Sequence, residues 1–412
     1  MATSWTGGQY SIFRVCLGLY LFVHFAHLSF WGAEIFSNVG MLAVAEDSPI
    51  FGVIPSIFQI SDSAFTVTFV LCVAILLSTL LTIGYVDKTA AFLLWLILAW
   101  LLGRNPLISN PSMPYVGWML LMHVFTPTKP FGSLAHILSG KLNVNWRLPV
   151  PLYVAAWTIL ALSYSYSGYT KLISPAWVSG DTISYVLDNP LARDTWLRDW
   201  LVTLPPVIFK ILTWAVLYIE LLFLPLILIK KLRWVMWLLM LLIQLGFLTL
   251  LNFADLTFGM LLFHLVTFNP AWLKSKVPAE ECTLFYDGTC AMCHGVVRFV
   301  AAEDIQRSIR FASLDSDTYQ ESSLDEQLGG DTIVFIDSSG QRYVRYRAVL
   351  GVLKTLGGLY RAASLVMALI PTAIGDILYN FVGRHRKRLF GTVDTTGSVC
   401  PLPEPSIAER HI

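Results

Sequence analysis

The chain has 412 residues, of which 56% are hydrophobic and only 13% charged, and its formal net charge is +1. Soluble domains average about 25% charged residues, so a wholly soluble globule is excluded, and a balanced charge gives no footprint for nucleic acid. Six cysteines in a chain of this length are not a disulfide framework.

Apolar runs of ~20 residues read as membrane helices. They fall near 10–31, 63–84, 89–103, 115–127, 150–169, 206–229, 234–251 and 256–268. The third, fourth and eighth are short, and tilting or partial re-entry is expected of them. The first ten residues carry no charged side chain, and no small-residue cleavage site follows, so the first run reads as a retained helix. Cys16 and Cys72 sit inside apolar runs and read as packing residues.

Basic residues sort the loops. Lys88, then Lys129, Lys141 and Arg147, then Lys230, Lys231 and Arg233, then Lys274 and Lys276 fall on one side. Arg104, Lys171, Arg193 and Arg198 fall on the other, diluted by acids such as Asp62, Asp181, Asp188, Asp194 and Asp199. The first side is expected to be cytoplasmic. An even helix count then puts both termini in the cytoplasm of a multi-pass integral protein, read as one of a bacterial inner membrane, with the lipid bilayer as partner.

Ionisable groups within membrane segments are functional candidates by default. Arg14, His24 and His27 lie in the first run, Glu220 in the sixth and His264 in the eighth. Pairing between helices, as of Arg14 with Glu220, and a ligand site are both open. The fifth run ends in Tyr164-Ser-Tyr-Ser-Gly-Tyr-Thr-Lys-Leu-Ile-Ser-Pro-Ala-Trp177. A lysine near hydrocarbon can lose its proton and act as a base, and Tyr164, Tyr166 and Tyr169 could line a polar chamber beside Lys171. The plainer reading is a lysine snorkelling through an aromatic belt.

Gly168-Tyr-Thr-Lys-Leu172 followed by Trp177-Val-Ser-Gly180 resembles a stretch of the vitamin K-dependent γ-carboxylases and their bacterial relatives, the HTTM (horizontally transferred transmembrane) proteins. The resemblance covers roughly 10–275. It implies a bound quinone-like lipid cofactor, with Lys171 matching the lysine that deprotonates the vitamin K hydroquinone; the chamber of Tyr164, Tyr166 and Tyr169 would be its binding place. The chain departs from the carboxylases at Arg104–Tyr115, which lacks histidine, and it has no counterpart of their propeptide-binding lumenal domain.

Composition changes between Asn269-Pro270 and Pro278, where charged residues become common and β patterns begin. Leu284-Phe-Tyr-Asp-Gly-Thr-Cys-Ala-Met-Cys-His-Gly-Val-Val297 reads as a strand, a tight turn at Asp287-Gly288, and a helix capped by Thr289. Cys290 and Cys293 are then expected in the first helical turn, where partial positive charge favours the thiolate that attacks disulfides. Cys290 is expected to be the exposed attacking sulfur and Cys293 the resolving one. The alternative is half of a zinc site. Four ligands are needed, and the polar region offers only Cys282, Cys400, His294, His385 and His411, with no second close pair. CxxC beside a strand favours redox chemistry.

Asp287, Cys290 and Cys293 also meet the Asp-x-x-Cys-x-x-Cys signature of the DCC family, and with Leu284-Phe-Tyr-Asp-Gly288 the stretch resembles that family's thiol–disulfide oxidoreductases. Asp287 is expected to shape the turn or take a proton; a carboxylate so placed raises a thiol pKa and cannot activate it. Further on, Arg310–Leu314 is a strand candidate, Thr332–Ile336 and Gln341–Tyr346 flank a hairpin turn at Asp337-Ser-Ser-Gly340, and Ala348–Leu356 is a helix ended by glycines. This order suits a thioredoxin-like α/β domain, although no proline precedes the Thr332 strand, where thioredoxins place one. Tyr360–Val382 is broken at Pro371 and reads as two amphipathic helices rather than a ninth span. Arg384, Arg386, Lys387 and Arg388 read either as a solvated face or as contacts to anionic headgroups. Cys400 is a candidate third thiol.

The expected architecture is therefore a polytopic α-helical membrane domain (1–275), a small thioredoxin-like α/β domain (281–403) and a C-terminal tail (404–412). The expected function is a membrane-anchored thiol–disulfide oxidoreductase that cycles a dithiol and a disulfide with an unidentified thiol partner, with no metal and no nucleic acid. Two alternatives stand beside it: a quinol-dependent carboxylase-like enzyme using Lys171, and a non-catalytic redox-sensing scaffold or carrier.

Overall fold

A computed structural model describes residues 3–108, 110–252, 254–321, 332–391 and 405–412. Two compact units emerge: Phe13–Thr126 with Pro149–Phe268, and Ala2–Ile12 with Pro127–Leu148 and Asn269–Ile412. The second unit thus recruits a short N-terminal segment and the 127–148 connection. Both had been expected in the membrane domain.

The apolar runs all become helices: α1 (Gly7–Ser29), α2 (Ala64–Ile83), α3 (Asp87–Arg104), α4 (Met113–Val124), α5 (Val150–Lys171), α6 (Pro206–Leu221), α7 (Arg233–Leu250) and α8 (Ala254–Thr267). By length and composition alone, fewer of them qualify as candidate spans than the eight expected. Among the described residues, α1, α2 and α7 are long and apolar enough by themselves. Trp196–Val202 with α6, bent by 110°, and a second bent pair near the C-terminus would bring the number to 5. The reasons are local. Asp87, Lys88 and Arg104 lie within the 18 residues of α3. The 12 residues of α4 reach only ~18 Å at 1.5 Å per residue, against a hydrocarbon core of ~30 Å. The sixth run breaks after Leu221 and restarts as a short helix, Phe223–Leu228.

In the first unit, α5 lies close against α6. A Cβ added at Gly168 would stand 2.3 Å from the backbone nitrogen of Leu221. Glycine is required there by backbone proximity.

The second unit holds a four-stranded sheet of β1 (Cys282–Tyr286), β2 (Ile309–Ser313), β3 (Val334–Ile336) and β4 (Arg342–Val344), in the order β2-β1-β3-β4. β1 runs parallel to β2, with Leu284 opposite Phe311, and antiparallel to β3, with Leu284 opposite Phe335. Its residues are apolar on both faces because both are covered. Leu284 and Tyr286 pack with Val297, Val300, Phe311 and Phe335 on one side, and Phe285 packs with Ala312, Tyr319 and Val334 on the other.

The parallel pair is joined by α9 (Ala291–Glu303), which buries Cys293, Val297, Val300 and Ala301 at helical spacing. The β3–β4 hairpin forms at the expected turn: Asp337 Oδ1 accepts from the backbone N–H of Ser339 (2.9 Å) and Gln341 (3.0 Å), and Gly340 takes φ +77°. Three helices follow: α10 (Arg345–Leu356), α11 (Gly358–Met367) and α12 (Thr372–Phe390). α11 and α12 are the expected broken pair, meeting at a bend of 115°.

Residues 405–412 do not form a separate tail. Ile407 is buried in the core around Leu284, His411 bridges Phe311, and Arg410 pairs with Asp304 at 2.7 Å. At the C-terminal end of α9, the buried Glu303 carboxylate accepts from the Thr6 hydroxyl, the Gly8 N–H (2.8 Å) and the Tyr360 hydroxyl (2.7 Å). It meets the free N–H groups that open α1, as an anion at a helix N-terminus does.

Candidate functional site

The site begins where β1 stops. Asp287 makes an Asx turn: its Oδ1 accepts from the Thr289 N–H (2.9 Å) and the Thr289 hydroxyl (2.7 Å). The Thr289 hydroxyl is used in this turn, so it is not the cap that was expected. The helix starts one residue later than that reading implies, with Cys290 at its N-cap and Cys293 in its first turn. His294 is largely buried, its Nε2 lies 2.7 Å from the Gly288 carbonyl oxygen, and its ring meets Tyr286 edge-on. The loop before Cys290 is thus held from both ends.

Both thiols are free, and both are buried. Cys290 is 0% exposed and Cys293 1%, which corrects the expectation of an exposed attacking sulfur. Part of the cover comes from α12. Its Arg386, itself buried, places Nη2 2.7 Å from Asp287 Oδ2, and the Gly391 carbonyl accepts from the Ala291 N–H at 3.4 Å. Arg386 is therefore neither a solvated nor a headgroup-facing cation, while Arg384 and Arg388 are exposed. Burial, then the hydrogen bond and charge of Cys290, push the Cys293 thiol up to about 12, and Arg386 opposes the rise.

Cys282 is a different kind of cysteine. It starts β1 in the core, and burial pushes its thiol up to about 11. Among the described residues, no three His, Cys, Asp or Glu side chains come together as metal ligands. Cys400 lies outside the described residues.

A family model described as DCC1-like thiol-disulfide oxidoreductase matches residues 284–392. YuxK, an uncharacterised protein of Bacillus subtilis (strain 168), is 35% identical over 134 residues, which is 31% of this chain and 92% of YuxK. The chain belongs to the DCC1-like thiol-disulfide oxidoreductase family. A DCC family protein of Arabidopsis thaliana, described as chloroplastic, is 30% identical over 114 residues, 27% of this chain and 66% of that protein. No solved structure matches the chain. The DCC1-like match falls within the second unit and holds the Asp287–Cys290–Cys293 turn, α9 and Arg386. The arginine carries no sequence signal of its role: its partner Asp287 is 99 positions away.

Outside the DCC1-like region, the residues grouped around Lys171 do not converge. Lys171 Nζ donates to the Glu220 carboxylate and to Ser167 Oγ (2.9 Å), and lies 4.8 Å from the centre of the Trp177 ring. It is an ion-pair partner in this fold, not a lone amine. Tyr164 is buried, accepting from Gln244 Nε2 at 3.1 Å, while Tyr166 and Tyr169 are exposed on the other side of the helix. Tyr164 is two and five positions from Tyr166 and Tyr169, spacings that put it on a different face of the helix from them, so the three tyrosines line no common chamber. Glu220 being taken by Lys171, Arg14 instead donates to the carbonyls of Leu81 and Thr82, both at 2.6 Å, at the C-terminal end of α2 where a cation is favoured.

Proposed function

We propose that the α/β unit is a thioredoxin-like dithiol–disulfide exchange domain anchored to a membrane by the helical unit. The observation that carries this reading is the Asp287–Thr289 turn, which sets Cys290 at the head of α9 and Cys293 in its first turn. The strand order β2-β1-β3-β4, with a parallel pair joined by α9 and an antiparallel hairpin, supports the fold assignment.

In the exchange, the Cys290 thiolate attacks one sulfur of a partner disulfide. A mixed disulfide forms, and the partner's other sulfur leaves as a thiolate and takes up a proton. Cys293 then gives up its proton and attacks the Cys290 sulfur. The partner leaves fully reduced, with Cys290 and Cys293 joined, and an external dithiol restores them. The raised affinity of Cys293 for its proton fits the resolving role, since it stays a thiol until the mixed disulfide forms. Because both sulfurs are buried, the reaction requires the end of α12 to swing away from Asp287.

The basic loops support a cytoplasmic place for this domain. For the helical unit, a quinone-like cofactor with Lys171 as base requires the Lys171–Glu220 ion pair to open before the amine can take a proton. The stretches Gly168–Leu172 and Trp177–Gly180 support an HTTM-type origin, and Gly168 has a packing reason for being glycine.

The test is trapping in membranes. Full-length Cys293→Ser should accumulate a dithiothreitol-sensitive mixed disulfide through Cys290, and Cys290→Ser should not. The unmodified chain should reduce a model disulfide over many turnovers with dithiothreitol as donor. A single stoichiometric reaction without cycling would support the sensor-scaffold alternative instead.

A further inference from the structure

α11 and α12 each have an inner and an outer face. On the inner side, Ser364 Oγ donates to the Leu350 carbonyl (3.0 Å), the Tyr379 hydroxyl oxygen accepts from the Ile333 N–H (3.0 Å), and Asp376 Oδ1 accepts from the Tyr346 N–H (3.3 Å). A Cβ at Gly375 would collide with the Tyr346 ring. These contacts hold the pair to the α/β unit by one side. The other side is apolar and open. Leu365, Val366 and Leu369 near the bend, and Ile374, Ile377 and Phe381 along α12, are exposed, with Leu369 at 82% and Phe381 at 65%. Ile377, Phe381, Arg384 and Arg388 follow one another at intervals of three or four residues, so the apolar stripe runs on into two exposed arginines.

A contiguous exposed apolar patch marks an interaction site, and charge selects what covers this one. Between 358 and 391 the sequence holds one acidic residue, Asp376, and its carboxylate is turned inward. Among the described residues, the outer face therefore joins apolar groups to positive charge alone. A helix of that make-up lies in the boundary between headgroups and acyl chains, and anionic headgroups attract its cations. Spanning fits less well. The 10 residues of α11 reach only ~15 Å at ~1.5 Å per residue, against a hydrocarbon core of ~30 Å. The inner contacts of Ser364, Asp376 and Tyr379 also tie both helices to a polar domain that cannot follow them into hydrocarbon.

We propose that the outer face of the α11–α12 pair seats in the surface of an anionic lipid leaflet, with Leu369, Ile377 and Phe381 among the first acyl carbons and Arg384 and Arg388 at the phosphates. The α/β unit then has a hold on the bilayer of its own, and the helix whose end covers Cys290 lies along lipid. The inference rests on these two helices and not on the chemistry of the dithiol.

The test is nitroxide depth measurement on the full-length chain in liposomes of phosphatidylcholine with phosphatidylglycerol, and of phosphatidylcholine alone. Cys16, Cys72 and Cys400 are replaced by serine, and one label is attached at Ile377→Cys or Phe381→Cys. The signal of the same chain without the added cysteine is subtracted, which removes any label on the buried Cys282, Cys290 and Cys293. Should either labelled chain fail to reconstitute, Val366→Cys replaces it. Relaxation by oxygen, which concentrates among acyl chains, is compared with relaxation by a water-soluble nickel chelate. In the anionic liposomes oxygen should dominate at both positions. The charge contribution is read in a Leu369→Ser background, where the weaker apolar seat leaves lipid-seated and water-exposed spectral components both visible. There, Arg384→Gln together with Arg388→Gln should lower the seated-to-exposed ratio about 25-fold, at about fivefold for each arginine, and in phosphatidylcholine alone should change it by no more than about twofold. Dominance of nickel at both positions would put the face in water. Shielding from both reagents would mean that protein covers it, a second copy of the chain included. An unchanged ratio without the arginines, or an equal loss in both lipids, would remove the anionic headgroups. Each of these results overturns the proposal.

Discussion

Replacing Arg386 with methionine should uncover Cys290 without unfolding the domain around it. The guanidinium lies 2.7 Å from Asp287 Oδ2, with the two side chains 2% and 10% exposed. A hydrogen bond to a charged group contributes about 1.5–3 kcal/mol. If that energy holds the end of α12 over the dithiol, its loss raises the open population about tenfold to a hundredfold, at 1.4 kcal/mol per decade. Methionine keeps most of the side chain's apolar length, so packing changes least. The assay is the rate of Cys290 modification by an aromatic disulfide reagent, with Cys16, Cys72, Cys293 and Cys400 replaced by serine. Cys282 is retained as an internal reporter, because it is buried at the start of the central strand and should react only on global opening. Peptide mass analysis separates the two sites. Cys290 should accelerate by that factor while Cys282 does not, and Asp287→Asn should act in the same direction. Equal acceleration of both cysteines would mean that the ion pair supports the whole domain, and no acceleration would mean that α12 is held by other contacts. Either result refutes the latch.

Three further outcomes are expected. Glu303→Ala leaves the Thr6, Gly8 and Tyr360 donors without their acceptor and should destabilise the α/β unit by about 3 kcal/mol or more, at about 1–3 kcal/mol for each buried donor left unsatisfied, read by pulse proteolysis of the full-length protein. Alkaline stability should fall as well: the Cys282 thiol is raised from 9.0 to about 11 in the fold, so the unfolded chain ionises first and stability present below pH ~9 is lost toward pH ~11, at about 1.4 kcal/mol per pH unit. Cys282→Ser should flatten that slope in a urea titration repeated across pH. Lys171→Ala and Glu220→Ala should each lower the melting temperature, and the double variant should lose less than their sum because the two side chains form one pair; strict additivity would show that the contact contributes nothing.

The parts legible in the sequence were those written locally. An apolar run specifies a helix by its own length and period, which is why α1 to α8, apart from the early end of α6 at Leu221, fall within a few residues of their expected positions. The strand, Asx turn and helix around Cys290 are likewise encoded within about twenty residues, as is the Asp337–Gly340 hairpin. Distant pairing was not legible. Nothing near Asp287 indicates Arg386, and nothing near Lys171 indicates that Glu220, 49 positions away, will take its charge in preference to Arg14. The tyrosine series failed for a geometric reason, since composition placed three phenols together and helical rotation separated them.

The hydrogen bond from Thr6 to Glu303 joins residues 297 positions apart. Its timing matters as much as its strength. On the ribosome, the segment that meets Glu303 is made first, and the Cys290 helix emerges only after some 280 residues of mostly apolar chain. The α/β unit therefore cannot reach its final packing during synthesis of its own segment alone. Closing so long a loop is slow, and until it closes the dithiol lacks part of the structure that surrounds its helix. A newly made molecule should thus pass through an interval in which the C-terminal end of α9 presents Glu303 without the donors that Thr6 and Gly8 supply.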